Sequence, residues 1–301
     1  MFTIVFLSFH SELHIKRLVF DIKKKYPIIV IENSLNIRLK KELEKKFDNV
    51  KVIIPPKNIG ISAGYNLGIK ESKTNFVKLT SVDIDLSNES LKDLEECVSK
   101  IKDFAILAPT YDDETIYKNY TIWNPEKLDD NFTDETFKKY NIKEVDFAEN
   151  DFIISKKNFS DIGFFDENIF MYYETMDLCK KARAADKKIY VSQKIKFTHY
   201  GSQSVSSKFS DQYYLSRSWH YNWSKFYYFK KNFGYFFAIK KIFPNFIRSI
   251  KKIIIRTIYN RKKEYSLYKT ELSGIFASIS NKPSSYRPFE TKRNKRELFP
   301  S

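Results

Sequence analysis

The chain has 301 residues, of which 42% are apolar and 17% aromatic, so its composition excludes a disordered protein and predicts a sizeable buried core. Only two cysteines occur, Cys97 and Cys179, which excludes a disulfide-stabilised scaffold and favours a reducing compartment. No run of about 18 apolar residues occurs, so we expect no membrane-spanning helix. The short apolar run at residues 3–9 has no basic region before it and predicts a buried first strand rather than a signal peptide.

The net charge of +16 is concentrated at the C-terminal end. Residues 223–301 carry 19 Lys and Arg against 4 Asp and Glu, whereas residues 1–222 carry 34 against 33. A general compositional bias toward lysine does not account for this difference between the two parts. The basic end therefore indicates an anionic partner, either a membrane surface or a nucleic acid.

The first 110 residues alternate short apolar runs with polar, helix-forming stretches. The predicted strands are 3–9, 28–31, 50–54 and 76–80, and the predicted helices between them are 14–24, 37–47 and 63–72. This alternation predicts an α/β fold with a mostly parallel sheet flanked by helices. Ligands bind beyond the carboxyl ends of the strands in such sheets, so the polar residues that follow each strand are candidate site residues.

The chain after residue 110 is less regular. Residues 111–145 are polar and predict a surface excursion, and 145–155 form a further apolar segment. A helix is predicted over 175–185, followed by two short strands at 189–191 and 195–198.

Glycines and asparagines are concentrated between Asn58 and Gly68, at the start of a predicted helix. Glycine allows close approach of a ligand to the backbone, and the amides of a helix N-terminus attract phosphate. The same composition is also common at helix starts with a purely structural role. The spacing matches neither the P-loop nor the dinucleotide-binding fingerprint.

Two acidic stretches stand out in the neutral part of the chain. Asp83 and Asp85 follow a predicted strand and, if extended, point to the same side, where they could hold a divalent cation or, alternatively, cap the helix near 89–100. Glu174 and Asp177 lie at the start of the next predicted helix. A carboxylate there could accept a proton, whereas the structural alternative for Asp177 is stabilisation of the helix dipole.

The ordered set of motifs resembles the inverting family 2 glycosyltransferases, most closely their rhamnosyltransferase-like branch, over residues 2–230. The matching motifs are the Glu-Asn-Ser after the second strand, N-x-G-x-x-x-G-x-N-x-G from Asn58, I-G-x-F-D-E from Ile162, F-M-Y-Y-E-x-x-D-L from Phe170 and H-x-G-S from His199. The resemblance implies a GT-A fold, a nucleotide-diphosphate sugar as donor, and a divalent cation, Mg²⁺ or Mn²⁺.

Carried over to this chain, the resemblance assigns donor-binding roles to residues at the strand ends. Glu32 takes the place of an acid that contacts the nucleobase, with Ser8 and Phe9 beside the nucleotide. The glycine- and asparagine-containing loop contributes four residues near the nucleotide and sugar: Asn58, Gly60, Gly64 and Asn66.

The resemblance also assigns the metal ligands. Asp83 matches the acid that binds the cation, and Asp85 is a weaker candidate because the family pattern ends at Asp83. His199 matches a position that contacts the metal or the diphosphate in several relatives, although a lone histidine is more often structural.

One departure concerns the catalytic base. The family usually has Glu-Asp where this chain has Glu174 and Thr175, and threonine does not accept a proton at neutral pH. Glu174 or Asp177 must then deprotonate the acceptor, with Glu174 favoured by its place at the helix cap. The alternative is a weakened or non-catalytic homologue.

The segment 235–259 predicts an amphipathic helix in which Pro244 causes a kink or starts a second helix. Its predicted apolar face comprises Ile239, Ile242, Phe243, Phe246, Ile247, Ile250, Ile253, Ile254 and Ile258, and its basic face comprises Lys240, Lys241, Arg248, Lys251, Lys252 and Arg256. Such a helix is typical of an interfacial membrane element, and packing on the catalytic domain is the alternative. No zinc spacing, RNA-binding signature or helix-turn-helix pattern occurs, so no nucleic-acid partner is expected.

These observations predict a GT-A transferase domain over 1–225 and a basic helical extension over 226–301. The predicted function is transfer of a sugar, with inversion, to a lipid-linked or polysaccharide acceptor in surface glycan assembly. The predicted location is cytoplasmic, at the anionic inner face of the membrane. The alternative is a non-catalytic homologue that binds membrane or nucleic acid through its basic end, and a nucleotidyltransferase is less favoured.

Overall fold

The computed structural model describes residues 1–22, 25–101, 103–111, 119–122, 135–149, 151–199 and 210–287. These residues form two compact units. The first comprises the described residues of 1–166 and 174–199, and the second comprises 167–173 and 210–287. The second unit thus takes seven residues from the middle of the chain together with its C-terminal helices.

The first unit is built on a mixed sheet. Its strands are β1 (Thr3–Ser8), β2 (Ile28–Glu32), β3 (Val50–Ile53), β4 (Phe76–Thr80), β5 (Ile84–Asp85), β6 (Ile106–Tyr111), β8 (Ile142–Glu144), β10 (Phe152–Ser155) and β11 (Ile189–His199), while β7 (Tyr120–Thr121) and β9 (Phe147–Ala148) pair separately. The order across the main sheet is β3-β2-β1-β4-β10-β6-β11-β5, with β8 also paired to β11.

Strand direction determines which ends meet. β1, β2, β3 and β4 are mutually parallel, and β10 runs antiparallel to both β4 and β6, so β6 and its parallel neighbour β11 point the same way as β4. The carboxyl ends of β1, β2, β4, β6 and β11 therefore lie along one edge, together with the start of β10.

Helices cover both faces of this sheet. The helices are α1 (Glu12–Asp21), α2 (Ile37–Lys46), α3 (Gly60–Glu71), α4 (Asn88–Lys100), α5 (Glu135–Tyr140), α6 (Lys156–Asp161) and α7 (Glu174–Ala184). Leucines of α1, α2 and α4 pack with Ile4 and Phe6 of β1 in one core, whereas α3, α6 and α7 pack with Val5 in the other. The side-chain alternation of a strand thus supplies both layers.

Two glycines let α3 lie close to β1. A Cβ atom at Gly68 would lie 2.4 Å from Cγ1 of Val5, and one at Gly64 would lie 2.8 Å from Cδ2 of Leu7. Part of the glycine pattern is therefore explained by helix-to-sheet packing rather than by a ligand.

The second unit contains three helices, α8 (Ser210–Phe233), α9 (Tyr235–Ile258) and α10 (Lys262–Ile279). Phe226, Ala238, Ile242 and Ile275 form its small apolar core. Gly274 of α10 makes room for the backbone of α8, since a Cβ atom there would lie 2.4 Å from the carbonyl oxygen of Trp219.

A buried carboxylate links these helices. Glu271 of α10 accepts hydrogen bonds from Ser218 at 3.2 Å and Ser249 at 2.6 Å, and Arg248 forms an ion pair with it at 3.0 Å. The face of α9 that packs against α8 and α10 is accordingly part polar. Of the predicted apolar face of α9, Phe243, Ile254 and Ile258 are exposed.

The structure differs from the sequence prediction at three places. β11 is one strand through 189–199, because a register irregularity between Ser192 and Lys196 keeps it paired with β6 where two separate strands were predicted. α9 runs continuously through Pro244, so no second helix starts there. α8 packs with α9 and α10, and the predicted domain boundary after residue 225 falls within this helix.

In the described part of the chain, no helix has an apolar stretch long enough to cross a membrane.

A buried ion pair lies at the centre of the sheet. The ammonium group of Lys78 on β4 contacts Asp151, which precedes β10, and both side chains are fully buried. Burial lowers the pKa of Lys78, and the negative charge of Asp151 opposes this change. Lys78 also lies 5.2 Å from the ring centre of Phe197. Removal of either partner would leave a buried charge without compensation.

We expect Lys78→Met and Asp151→Asn each to lower the free energy of unfolding by about 3–5 kcal/mol, and the double variant to cost less than the sum of the two. Urea unfolding at neutral pH measures all three. Glu71→Gln, which breaks the exposed pair with Lys51, is the control and should have little effect. Additive losses in the double variant would contradict a coupled pair.

Candidate functional site

Asp83 lies in the turn between β4 and β5, at the carboxyl edge of the sheet. Its side chain is 6% exposed and accepts a hydrogen bond of 2.5 Å from the hydroxyl of Ser81. Burial alone would raise the pKa of Asp83, but the contacts with His199 and Ser81 outweigh it and lower the pKa. Asp83 is therefore held ionised in a largely dehydrated position.

His199 ends β11 beside this carboxylate. Its Nε2 lies 3.7 Å from Oδ2 of Asp83, and its ring stacks on that of Tyr111 with centroids 5.0 Å apart. The contact with Asp83 raises the pKa of His199, burial opposes this, and the charges of Asp151 and Glu149 raise it further. The structure thus brings together Asp83 and His199, which are 116 positions apart in the chain.

Asp85 is placed differently from the sequence expectation. Asp83 belongs to a turn and Asp85 to a strand, so the two carboxylates do not share one face of an extended segment as predicted. Asp85 pairs with Thr198 in the β5–β11 ladder and lines a surface cavity with Lys194 and Lys196. A metal role for Asp85 stays a prediction.

Tyr65 lies within the electrostatic influence of Glu174 and Asp83. The hydroxyl-bearing side chain of Tyr65, on α3, is almost fully buried. Burial raises its pKa, and the negative charges of Asp151, Glu174 and Asp83 raise it further. The charges of Glu174 on α7 and of Asp83 thus both act on the same buried tyrosine.

α7 begins at Glu174, as the sequence predicts to within one residue. Glu174 is 4% exposed and Asp177, also in the first turn, is fully buried. Acidic side chains in the first turn stabilise the helix dipole, and both of these carboxylates are buried. Thr175, at the position of the missing acid, is 4% exposed.

Glu32 and Ser8 form one hydrogen-bonded unit across β1 and β2. The hydroxyl of Ser8 donates to Oε2 of Glu32 at 2.5 Å. The amide of Ser34 donates to Oε1 of Glu32 at 2.8 Å, and the hydroxyl of Ser34 donates to the same oxygen. Glu32 is 1% exposed, and burial raises its pKa. Phe9, the next predicted donor-binding residue, follows Ser8 at the same sheet edge.

Asparagines hold the loop that enters α3. Asn58 accepts a hydrogen bond of 3.0 Å from the amide of Gly60, whose φ of 81° suits glycine. Asn33 donates to the carbonyl of Gly60 at 3.3 Å and accepts from the amide of Ile59 at 3.2 Å. The loop is thereby attached to the end of β2.

Asn66, on α3, binds the backbone of Phe165. Its amide group donates to the carbonyl of Phe165 and accepts from the amide of the same residue, both at 3.0 Å. Both ends of its side-chain amide are thus used to hold the segment before α7. The donor-binding roles of Asn58, Gly60, Gly64 and Asn66 stay predictions.

Sequence reasoning missed several polar residues at this edge. Asp151, Glu149, Tyr111 and Asn33 were not proposed as site residues, although Asp151 and Glu149 influence His199. Oδ2 of Asp151 has no hydrogen-bond partner among the described residues, and burial raises the pKa of Glu149. The signal available in the sequence was the Glu-Asn-Asp triplet directly before an apolar strand. Tyr200, Gly201 and Ser202 of the H-x-G-S motif lie outside the described residues.

The residues present fit a divalent cation held jointly with a substrate. Among the described residues, no group of three or more His, Cys, Asp or Glu side chains is arranged to hold a metal. Mg²⁺ and similar ions are commonly bound by one or two carboxylates together with substrate phosphates. Asp83, ionised and adjacent to an imidazole nitrogen, is suited to such a site.

Comparisons with known proteins identify the architecture. The crystal structure of GalNAc-T7 with UDP, GalNAc and Mn²⁺ aligns over 82% of this chain and 57% of that one, with a TM-score of 0.53 and 14% identity. A mannosyltransferase from Pyrobaculum calidifontis in complex with GDP-Man and Mn²⁺ aligns over 93% and 87%, with a TM-score of 0.52 and 8% identity. The fold is that of the GT-A glycosyltransferases.

One curated relative is detected by sequence. The low-salt glycan biosynthesis hexosyltransferase Agl10 of Haloferax volcanii is 25% identical over 209 residues, which is 65% of this chain and 66% of that protein. The match therefore spans about two thirds of that relative's length. No protein-family model matches the chain.

Proposed function

We propose that this protein is a metal-dependent glycosyltransferase that moves a hexosyl group from a nucleotide-diphosphate donor to a lipid-linked or polysaccharide acceptor. The observation that carries the proposal is the buried, ionised Asp83 beside His199 at the carboxyl edge of a GT-A sheet. The similarity to a hexosyltransferase of glycan biosynthesis supports the reaction class. Inversion and kinship with the family 2 enzymes rest on the motif resemblance.

Asp83 and His199 would bind the cation and the donor diphosphate. A bound Mg²⁺ or Mn²⁺ supplies electrostatic stabilisation of the leaving diphosphate. α3 begins at Gly60, and the amides of a helix N-terminus favour phosphate oxygens. Those of Ile59 and Gly60 are already bonded to Asn33 and Asn58, so the amides that follow Gly60 would serve here. Ser8 and Glu32 would shape the nucleoside site at the ends of β1 and β2.

Glu174 is the proposed base. In an inverting transfer the acceptor hydroxyl loses its proton as it attacks the anomeric carbon, and a positioned carboxylate takes that proton. The charges of Glu174 and Asp83 both act on the buried Tyr65, whereas Asp177 is fully buried within the first turn of α7. Thr175 does not replace the missing acid, because a hydroxyl does not accept a proton at neutral pH.

We expect Glu174→Gln to lower kcat by about 10²- to 10⁴-fold, the usual contribution of general base catalysis, while the KM for the donor changes little. Asp177→Asn, in the same helix turn, is the matched control and should keep kcat within about tenfold. The measurement is release of the nucleoside diphosphate, using the nucleotide sugar that gives the largest thermal shift with Mn²⁺. Full activity in both variants would rule out a carboxylate base on α7, and loss in Asp177→Asn alone would reverse the assignment.

We further propose that α9 attaches the protein to an anionic membrane surface. Phe236, Phe243, Ile254 and Ile258 are 88%, 56%, 55% and 73% exposed and share one side of the helix at 100° per residue. This exposed apolar strip extends over about 33 Å of helix. Each basic residue near an anionic surface contributes about 1 kcal/mol, and Lys240 and Lys251 lie beside the strip.

In co-sedimentation with phosphatidylglycerol-containing vesicles, we expect Phe236→Ser with Ile254→Ser to weaken binding at least tenfold, because burying each such side chain contributes about 1.5–3 kcal/mol. Phe20→Ser is the control, since Phe20 is 68% exposed on α1 of the other unit. Binding should also fall with added salt. Unchanged vesicle binding in the double variant, or binding to polynucleotide alone, would contradict the membrane proposal.

A further inference from the structure

The second unit contains a cavity of about 500 Å³ whose lining residues all belong to that unit. It is lined by Glu167 and Asn168, by α8, by the end of α10 and by the segment 281–284. Its volume lies within the range of about 300–1,000 Å³ that is usual for small-molecule sites.

Two rings of a stacked aromatic row, Trp223 and Tyr227, line this cavity. Trp219, Trp223 and Tyr227 lie four residues apart on α8 and therefore on one side of the helix. Trp223 stacks on Tyr227 at 4.9 Å and on Trp219 at 6.5 Å, and Tyr286 continues the row at 5.7 Å from Trp219. The planes differ by only 11–17° along the row.

Hydrogen bonds fix this wall in place. The indole nitrogen of Trp223 donates to the carbonyl of Lys282 at 2.9 Å, and the hydroxyl of Ser278 donates to the carbonyl of Trp223 at 2.9 Å. Trp223 is 3% exposed, and Tyr227, at the end of the row, is half-buried. Trp223 and Tyr227 both line the cavity, so a ligand meets a rigid aromatic edge with an accessible tyrosine.

The remaining lining is polar and positively charged. Lys230, Lys231 and Lys282 contribute three ammonium groups, against the single carboxylate of Glu167. Lys230 also contacts the side chain of Asn281, which holds its ammonium group at the rim. An excess of ammonium groups favours an anionic ligand, and lysine commonly binds phosphate as a point charge.

A second cavity of about 600 Å³ continues the same feature. It is lined by Trp219, Tyr286 and Arg287, and Lys282 lines both cavities. The aromatic row therefore runs along two adjoining spaces, each with a cationic side chain. This arrangement suits an extended ligand with more than one sugar-sized unit.

We propose that these cavities bind a phosphate-bearing saccharide, with a sugar ring against the Trp223–Tyr227 wall and its phosphate at Lys231 and Lys282. A neutral sugar would not use the lysines, and a bare phosphate would not use the aromatic wall. The proposal rests on the proposed function and deepens it, because it gives the chemical class of the acceptor as a glycosyl phosphate. Its source is either a lipid-linked glycosyl phosphate or a soluble acidic saccharide.

Titration calorimetry on the full chain tests this with glucose 1-phosphate, inorganic phosphate and methyl glucoside. We expect glucose 1-phosphate to bind at least tenfold more tightly than either of the others. Lys231→Glu combined with Lys282→Glu should weaken this binding at least tenfold, because both lysines are exposed at the rim and their reversal repels the phosphate. Lys269→Glu, an exposed lysine of α10 outside both cavities, should leave binding unchanged.

Two further arms make the result specific. Glucose linked through phosphate to a short polyprenyl chain, presented in micelles, should bind more tightly than glucose 1-phosphate if the source is lipid-linked, and equally if it is soluble. A thermal-shift titration with the donor checks the variants, which should keep donor binding. Equal binding by the double variant and the Lys269→Glu control would overturn the cavity proposal while donor binding leaves the proposed function intact. Absence of donor binding in the unmodified protein would instead count against the proposed function.

Discussion

The short antiparallel pairing of β5 with β11 is the constraint on which the proposed site depends. Thr198 pairs with Asp85 and His199 with Ile84, so the end of β11 lies directly beside the turn that carries Asp83. The resulting ion pair offsets the unfavourable burial of the Asp83 carboxylate, which stays ionised. An ionised carboxylate at the carboxyl edge of a parallel sheet is what a diphosphate-bound cation requires.

Most of the fold could be predicted from the sequence, because local sequence patterns encode its helices and strands. Alternating apolar and amphipathic runs located the first four strands, and the motif from Phe170 located the start of α7. The antiparallel insertion of β10 between β4 and β6 could not be read in this way, since strand order depends on tertiary contacts and not on local periodicity. The same holds for β11, whose irregular middle looks like a break between two strands.

Only part of the candidate site could be predicted from the sequence. Asp83 and His199 were identified by motif, and their contact required the fold. Asp151 was missed because a charged residue before an apolar strand reads as a surface turn, whereas the structure buries it against Lys78. Gly64 and Asn66 were predicted from the sequence to contact a ligand. The close packing of α3 on β1 accounts for Gly64, and the hydrogen bonds to the backbone of Phe165 account for Asn66.

The two units differ in net charge as well as in structure. The neutral sheet unit carries the proposed donor site, and the basic helical unit carries an exposed apolar strip and a lysine-lined aromatic cavity. Residues 167–173 belong to the helical unit and directly precede Glu174 in the chain. Tyr172 and Tyr173 have φ of 66° and 67°, an uncommon conformation for aromatic residues, and contacts with Arg217 and Tyr228 of α8 hold them there. Glu174, the proposed base, thus directly follows in the chain a segment that packs with α8.

The most direct test of the central claim is binding of Mn²⁺, followed by electron paramagnetic resonance, in the presence of UDP or GDP. The account predicts that at least one nucleotide increases the affinity for Mn²⁺ by at least tenfold, that Asp83→Asn abolishes this increase, and that Asp85→Asn keeps it. Nucleotide-dependent Mn²⁺ binding that survives in Asp83→Asn would contradict the account, as would loss in Asp85→Asn alone.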